Sequence, residues 1–165
     1  MGQQQPSVEP YAGEGVGVVG MNVSYDLKII DACSKGVLGM SLADAGWSGP
    51  LLDILVIDRH FDKYRKGGRK LVDLCSHYGV TAELLHDAEN DVEASVLVLF
   101  RQCQQYSKLA AMSMDELNVA QQLRHRKWAE GFSKYLVSKG KGLLAESDVN
   151  WPLDATEVVQ VSMGS

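Results

Sequence analysis

The sequence lacks the features of membrane, secreted and zinc-thiolate proteins. None of its apolar runs approaches the roughly 18 residues that a membrane span needs, and its first residues lack the charged-then-apolar pattern of a signal peptide. The three cysteines, Cys33, Cys75 and Cys103, form no CxxC pair. Such isolated cysteines give no zinc site and are typical of buried thiols in a reducing compartment. We therefore expect a cytoplasmic protein that has no membrane partner.

Positive charge is also scarce in the chain. Lys and Arg number 16 against 21 Asp and Glu, which gives a net charge of −5. This balance argues against tight non-specific binding of duplex nucleic acid, which depends on Lys and Arg neutralising phosphates. It does not exclude an enzyme that acts on nucleic acid, because such a site holds acidic metal ligands and keeps its basic residues local.

The 165 residues, 45% of them apolar, suit one globular domain.

A short strand and a helix are predicted near the start of the chain. Residues 1–15, rich in Gly, Pro and Gln, are expected to be disordered. The β-branched run that follows predicts a buried strand at residues 16–21, ending near Asn22. Ser24 is a candidate cap for a helix that ends at Gly36. The predicted core face of this helix consists of Tyr25, Ile29, Ile30 and Cys33.

The most apolar segment of the chain is residues 51–61. It can open as a strand and turn into a helix, and periodicity alone does not decide between strand and helix. After it, four apolar residues at helical spacing predict a helix closed by Gly79. These four residues are Leu71, Leu74, Cys75 and Tyr78.

Two longer helices are predicted at about residues 87–106 and 114–139. The predicted core stripe of the first consists of Ala88, Val92, Val96, Leu99 and Cys103. The predicted apolar patch of the second consists of Trp128, Phe132, Tyr135 and Leu136. We expect these aromatic rings to form core or an interface rather than a base-stacking platform. In the C-terminal segment, the residues WPL are expected to pack onto the body of the protein.

Two carboxylates and one histidine stand at positions suited to metal chemistry. Asp26 follows the first predicted strand, His86 precedes a predicted helix, and Asp91 lies one turn into that helix. Carboxylates from two different elements can bind a hard divalent cation such as Mg²⁺. A nearby imidazole of near-neutral pKa can take a proton from a metal-bound water. Each of these residues alone is more often an ordinary helix-end or surface group. Only the three together indicate a metal site.

The segments around these residues resemble the motifs of the DnaQ-like, or DEDDh, 3′–5′ exonucleases. The stretch NVSYD, residues 22–26, is similar to the second motif of that family, and HDAEND, residues 86–91, is similar to its third motif, H-x-x-x-x-D. The segment between them, and the later stretches QQLRHRKWAEGFSKYL and NWPL, resemble the actinobacterial and phage subgroup. The resemblance runs from about Gly15 to Leu153. Each motif is weak alone, but two motifs in order at a fitting separation are a strong signal.

The resemblance implies a ribonuclease H-like α/β fold with a two-metal site for Mg²⁺ or Mn²⁺. Asp91 would bind the catalytic metal directly, and Asp26 would help to hold the second metal through water. His86 would be the general base for the attacking water. Asn22 and Tyr25 would shape the site beside the scissile nucleotide. The implied substrate is the 3′ end of a nucleic acid, with DNA favoured over RNA.

The family's first motif, Asp-x-Glu on the first strand, has no counterpart before Asn22. In the family it supplies the carboxylate that bridges both metals and the glutamate that orients the water. The implied fold is therefore truncated at its N-terminus and mostly helical with a residual sheet, and the isolated chain is expected to be weak or inactive. Three explanations stay open. The chain is half of a split enzyme that a second polypeptide completes, a truncated gene product, or a former nuclease that has lost its activity and only binds a partner.

A basic turn follows the most apolar segment. Its six basic residues oppose Asp58 and Asp62, which leaves a local charge of +4 in a chain of −5. The six are Arg59, Lys63, Arg65, Lys66, Arg69 and Lys70. One interpretation is contact with a phosphate backbone, for which the chief candidates are Arg65, Lys66 and Arg69. The other is a solvated turn without a partner.

The sequence therefore predicts one exonuclease-like domain with an extension. Residues 16–107 are predicted to form the C-terminal part of that domain, residues 108–153 a helical extension, and residues 154–165 a flexible tail. The predicted function is 3′–5′ exonuclease activity, with a DNA polymerase or a polypeptide that supplies the missing strand as partner. The alternative is a non-catalytic remnant of the fold that binds nucleic acid or protein.

Overall fold

The computed structural model describes residues 17–45, 47, 50–81 and 87–153. Within these ranges the chain is mostly helical and holds one small parallel sheet, in agreement with the predicted helical character. The elements are β1 (Val18–Gly20), α1 (Val23–Leu38), β2 (Leu51–Asp53), α2 (Ile54–Phe61), α3 (Leu71–Tyr78), α4 (Ala88–Gln105), α5 (Ser107–Ala110), α6 (Met114–Ser138) and α7 (Glu146–Val149). None of the described helices combines the length and apolar character needed to cross a membrane. The predicted N-terminal disorder, the C-terminal tail and His86 lie outside the described residues.

The two strands pair in parallel, with Val18 opposite Leu51 and Gly20 opposite Asp53. For residues 51–61, the prediction of a strand that turns into a helix is confirmed, because α2 follows β2 without an intervening residue. All three residues of β2 are buried, whereas those of β1 are partly exposed. Of the two strands, β2 is therefore the one that lies inside the core, and β1 lies at the surface.

One buried carboxylate joins the strand ends to the starts of two helices. The Asp53 side chain accepts hydrogen bonds from the backbone N–H groups of Asn22 and Val23, each at 3.1 Å. It also caps α2 by accepting from Leu55 at 2.9 Å and Val56 at 3.4 Å. Asn22 adopts the left-handed conformation, with φ of 57°, which Asn tolerates better than most residues. Burial raises the pKa of Asp53, and the four N–H donors act in the opposite direction.

Two buried glutamines bind backbone groups of β2 and of the first residue of α2. The side-chain amide of Gln121 accepts from the backbone N–H of Asp53 at 2.7 Å and donates to the carbonyl of Leu51 at 2.7 Å. Gln102 donates in the same way to the carbonyl of Ile54 at 3.0 Å. Buried backbone groups are costly when they have no partner. Gln121 on α6 therefore satisfies β2 where a further strand would otherwise be needed, and Gln102 on α4 binds the first residue of α2.

The predicted core face of α1 is wrong. That of α4 is wrong for Val92 and Val96, which are exposed, whereas Leu99 and Cys103 pack against the core as predicted. On α1, Tyr25 is 62% exposed, and the buried residues are Val23, Ser24, Leu27 and Asp31. On α4, Val92 is 62% exposed, and the buried residues are Ala94, Ser95, Val98 and Gln102. Several of these buried residues are polar and have local partners, as when the Ser95 hydroxyl donates to the Asp91 carbonyl at 2.8 Å. The spacing of apolar residues cannot predict a helix face whose buried residues are polar and hydrogen-bonded.

Of the two alternatives predicted for the α6 rings, core or an interface, the core alternative is wrong for Phe132 and Tyr135, and the interface alternative stays a prediction. The buried face of α6 consists of Leu117, Gln121, His125, Ala129 and Ser133. Phe132 is 36% exposed and Tyr135 is 54% exposed. This helix packs on α2 and β2 through its smaller and polar residues. Its aromatic rings therefore lie at the edge of the protein.

Two other predictions about packing are confirmed. Helix α3 buries Leu74, Cys75 and Tyr78 and ends at Gly79, which has the left-handed φ of 67° that favours glycine. Trp151 of the WPL segment is buried in one core cluster with residues of α1 and β2. The first helix, however, continues beyond Gly36 to Leu38.

Asp53→Ala is expected to lower the free energy of unfolding by about 3 kcal/mol, because four backbone N–H groups at two helix starts lose their acceptor. Urea denaturation followed by circular dichroism measures this change. Asp44→Ala is the matched control, since Asp44 is exposed and accepts hydrogen bonds from Ser41 in its own turn. A loss for Asp53→Ala no larger than that of the control would contradict the central role of Asp53.

Candidate metal-binding cleft

Asp26 and Asp91, the carboxylates of the two motifs, line one cleft. The cleft has a volume of about 420 Å³ and lies at the carboxyl end of β1, between α1 and α4. Asn22 and Ser95 also line it, and Val19 contributes an apolar wall. The structure thus brings together two of the three groups that the sequence predicts for metal chemistry.

The backbone explains why these carboxylates share a cleft. Asp26 lies in the first turn of α1, which starts directly after the left-handed residue Asn22. Asp91 lies in the first turn of α4, and this helix packs on β1. Acidic side chains are favoured in the first turn of a helix, where the unpaired N–H groups leave a partial positive charge. Two helix starts therefore face the same strand end, each with an acid.

Of the other residues implied by the motifs, one lines the cleft, one lines a neighbouring cavity and one lies outside the described residues. His86 lies outside the described residues, so its role as a base stays a prediction. Asn22 lines both the cleft and a neighbouring cavity of about 220 Å³, and Tyr25 lines only the neighbouring cavity. Asn22 therefore stands at the boundary between the two spaces.

Two of the three basic residues predicted to bind the substrate have partners inside the protein. Asp58, fully buried on α2, accepts from Arg65 at 3.0 and 3.2 Å and from Arg69. The hydroxyl of Tyr78 donates to the same carboxylate at 2.9 Å, and burial raises the pKa of Tyr78, so the hydroxyl stays protonated as a donor. Lys66, by contrast, is exposed. The two arginines therefore fasten the basic turn to α2, which gives them a structural role.

Asp58 also belongs to a cluster whose geometry could suit a metal. Within the described residues, Asp58, Asp62 and His77 are the one group of three such side chains whose ligand atoms lie within 4.8 Å of one another. A cation there would meet the guanidinium groups of Arg65 and Arg69, which already neutralise Asp58. Like charges in close contact are unfavourable. The cleft between Asp26 and Asp91 is therefore the better candidate.

Two features of functional interest were not found from the sequence. Asp53 is a single carboxylate inside the most apolar segment, LLDILVIDRHF, and that contrast is itself a signal of a buried, hydrogen-bonded acid. The stretch LRHRKW on α6 combines basic and aromatic residues, and it faces α2 across a cavity described below. The basic and aromatic residues of this stretch form a cavity only because α6 packs on α2, and a local sequence pattern does not predict that packing.

Comparison of the chain with protein-family models, with curated proteins and with solved structures gives no match. The likeness to DnaQ-like exonucleases therefore rests on the two sequence motifs. The shared cleft of Asp26 and Asp91 is an independent geometric observation, because nothing in the motif spacing requires it.

Arg65→Gln is expected to lower the free energy of unfolding by about 2 kcal/mol, because the buried Asp58 loses two hydrogen bonds and part of its neutralising charge. Lys66→Gln, at the adjacent exposed position, is expected to change stability by less than about 0.5 kcal/mol. Thermal and urea denaturation of the two variants provide the comparison. Equal stability of the two variants would show that the Arg65–Asp58 pair contributes nothing.

Proposed function

We propose that this chain is part of a DnaQ-like 3′–5′ exonuclease with a ribonuclease H-like fold. The observation that carries the proposal is the meeting of Asp26 and Asp91 in one cleft at the carboxyl end of a parallel strand. Ligands in α/β folds bind preferentially at that end of the strands. The proposed reaction is hydrolysis of the terminal phosphodiester at the 3′ end of a nucleic acid, with DNA as the favoured substrate.

The donor set in the cleft fits a hard divalent cation. Two carboxylates supply oxygen ligands, and a volume of about 420 Å³ leaves room for the waters that Mg²⁺ retains. Bound Mg²⁺ or Mn²⁺ would stabilise the attacking and leaving oxygens of the displacement. In this proposal, Asp91 and Asp26 hold the metals and His86 takes the proton of the attacking water. Asn22 and Tyr25 position the terminal nucleotide at the boundary of the cleft.

A second polypeptide would complete the site in this proposal. Within the described residues β1 pairs with β2 alone, so its other edge has backbone groups available for another strand. Apolar side chains also remain exposed on β1 and on α4, which packs against it: Val18, Val92, Val96 and Phe100. A strand that carries Asp-x-Glu would cover these groups and add the bridging carboxylate. A DNA polymerase is the alternative partner.

The second candidate function is a non-catalytic binding remnant of the same fold. The exposed apolar side chains on α1 and α4 favour this reading, because protein interfaces are built from such surfaces. The two candidates differ in one property. An exonuclease site must bind divalent cations through Asp26 and Asp91, whereas a binding remnant has no need of either carboxylate.

Mn²⁺ binding is expected to be weak in the isolated chain, with a dissociation constant on the order of 1 mM, because affinity follows the number of charged ligands. Asp91→Asn and Asp26→Asn are each expected to weaken this binding roughly tenfold. Electron paramagnetic resonance of free Mn²⁺ measures the effect. Glu93→Gln removes the same charge from an exposed position on α4 and serves as the control. Identical binding by the control and by both Asp variants would remove the basis of the proposal.

The isolated chain is expected to release little or no mononucleotide from the 3′ end of a 5′-labelled single-stranded DNA in Mn²⁺. The reason is that two carboxylates without the bridging third hold the metals too weakly for catalysis. Gel analysis of the labelled products tests this. Clear stepwise shortening that Asp91→Ala abolishes would contradict the predicted inactivity and would support the family assignment.

A further inference from the structure

A basic cavity of about 340 Å³ lies between α2 and α6, and we call it the α2–α6 cavity. Most of its lining residues are basic or aromatic. The side chains that matter here are Arg59, His60, Lys63, Arg124, Lys127 and Trp128. The size is within the range of small-molecule sites. Such a concentration of cations runs against the net charge of −5 of the chain.

The cations of the α2–α6 cavity form no salt bridge within the described residues, although Arg59 also feels the charges of the buried Asp53 and Asp58. These cations are Arg59, Lys63, Arg124 and Lys127. One guanidinium nitrogen of Arg124, Nη1, is buried without a hydrogen-bond partner. Burial lowers the pKa of Arg59 and of Arg124, which reflects the cost of holding these charges away from water. An anion in the cavity would offset that cost by bringing a negative charge close to these guanidinium groups.

A row of aromatic rings leads away from this cavity along α6. Trp128 stacks on Phe132 with ring centres 5.3 Å apart, and Phe132 stacks on Tyr135 at 6.2 Å. The guanidinium of Arg59 lies 3.7 Å from the centre of the Trp128 ring. Since Phe132 and Tyr135 are exposed, their rings are accessible to a ligand. Exposed aromatic rings beside cations are the combination that binds bases and phosphates of single strands.

The α2–α6 cavity and the cleft of Asp26 and Asp91 both adjoin a third cavity. The cavity of about 220 Å³ between them shares Arg59 and Trp128 with the α2–α6 cavity. It shares Asn22 with the cleft. A strand in the α2–α6 cavity can therefore continue towards the cleft.

We propose that the α2–α6 cavity and the aromatic row bind a single-stranded nucleic acid. The phosphates lie at Lys63, Arg124 and Lys127. Bases contact the exposed edge of Phe132, whose ring already stacks on Trp128 and Tyr135, and a base stacks on Tyr135 in place of the Lys139 ammonium. A duplex is disfavoured because its base faces are covered, and an acidic peptide is disfavoured because its Asp and Glu side chains carry no aromatic ring to stack on the aromatic row. Binding of the strand does not depend on the proposed function. Only the location of the 3′ end of the strand in the cleft rests on the proposed function.

The test is fluorescence anisotropy of a labelled single-stranded oligonucleotide, measured in EDTA so that no hydrolysis occurs. Lys63→Gln combined with Lys127→Gln is expected to weaken binding about tenfold, and to reduce the slope of log K against log salt by about 1.4. The matched control combines Lys108→Gln with Lys141→Gln, which removes the same charge from exposed positions elsewhere. The control is expected to bind as the unaltered protein does.

The aromatic row is tested separately by combining Phe132→Leu with Tyr135→Leu. Binding is expected to weaken at least fivefold, because stacking on each ring contributes to affinity. Phe100→Leu, at an exposed position on α4, is the control. Circular dichroism of all variants shows whether each one folds.

Three results would overturn the inference. They are equal affinities of the lysine double variant and its control, equal affinity for a duplex of the same sequence, and equally effective displacement by oligoglutamate of matched charge. The last would assign the cavity to an acidic protein segment instead. Because EDTA removes divalent cations, absent strand binding in a chain that still binds Mn²⁺ refutes this inference alone. Strand binding in a chain that fails to bind Mn²⁺ refutes the proposed exonuclease site alone.

Discussion

A carboxylate buried at the end of a sheet is unfavourable unless hydrogen-bond donors surround it. Asp53 meets this requirement with four backbone N–H groups, two at the start of α1 and two at the start of α2. The same residue, through its own N–H, binds Gln121 of α6. The starts of two helices thus depend on the Asp53 side chain, and a third helix is joined through the backbone of the same residue. The turn at Asn22, and with it the position of Asp26, is fixed by the same contacts.

The basic residues near α2 divide into two groups with different roles. Arg65 and Arg69 turn inward and neutralise Asp58, so they hold the turn in place. Arg59 and Lys63 line the α2–α6 cavity, where α6 adds further cations. A count of charges along the sequence cannot separate these groups, because the separation depends on which side chains reach the buried Asp58. The basic turn is therefore partly structural, and its remaining charge joins a surface that a distant helix completes.

Sequence reasoning succeeded where the determinants are local. The apolar spacing from Leu71 to Tyr78 and the glycine after it define α3, and Asp26 and Asp91 each lie in the first turn of a helix, as their positions in the sequence predict. It failed on the core face of α1 and on part of those of α4 and α6. Those faces bury polar residues such as Gln102 and Gln121, which are stable there because they bind backbone groups of distant elements. Contacts of that kind follow from tertiary packing, and apolar periodicity contains no information about them.

The central claim is that Asp26 and Asp91 together bind a divalent cation at the end of β1. Titration of the ¹⁵N-labelled protein with Mn²⁺, followed by the paramagnetic broadening of its amide signals, tests this claim most directly. The account predicts that broadening begins at the amides from Gly20 to Asp26 and from Asp91 to Ser95. Broadening that begins instead around Asp58, Asp62 and His77, or that spreads evenly over the exposed acids, would contradict it.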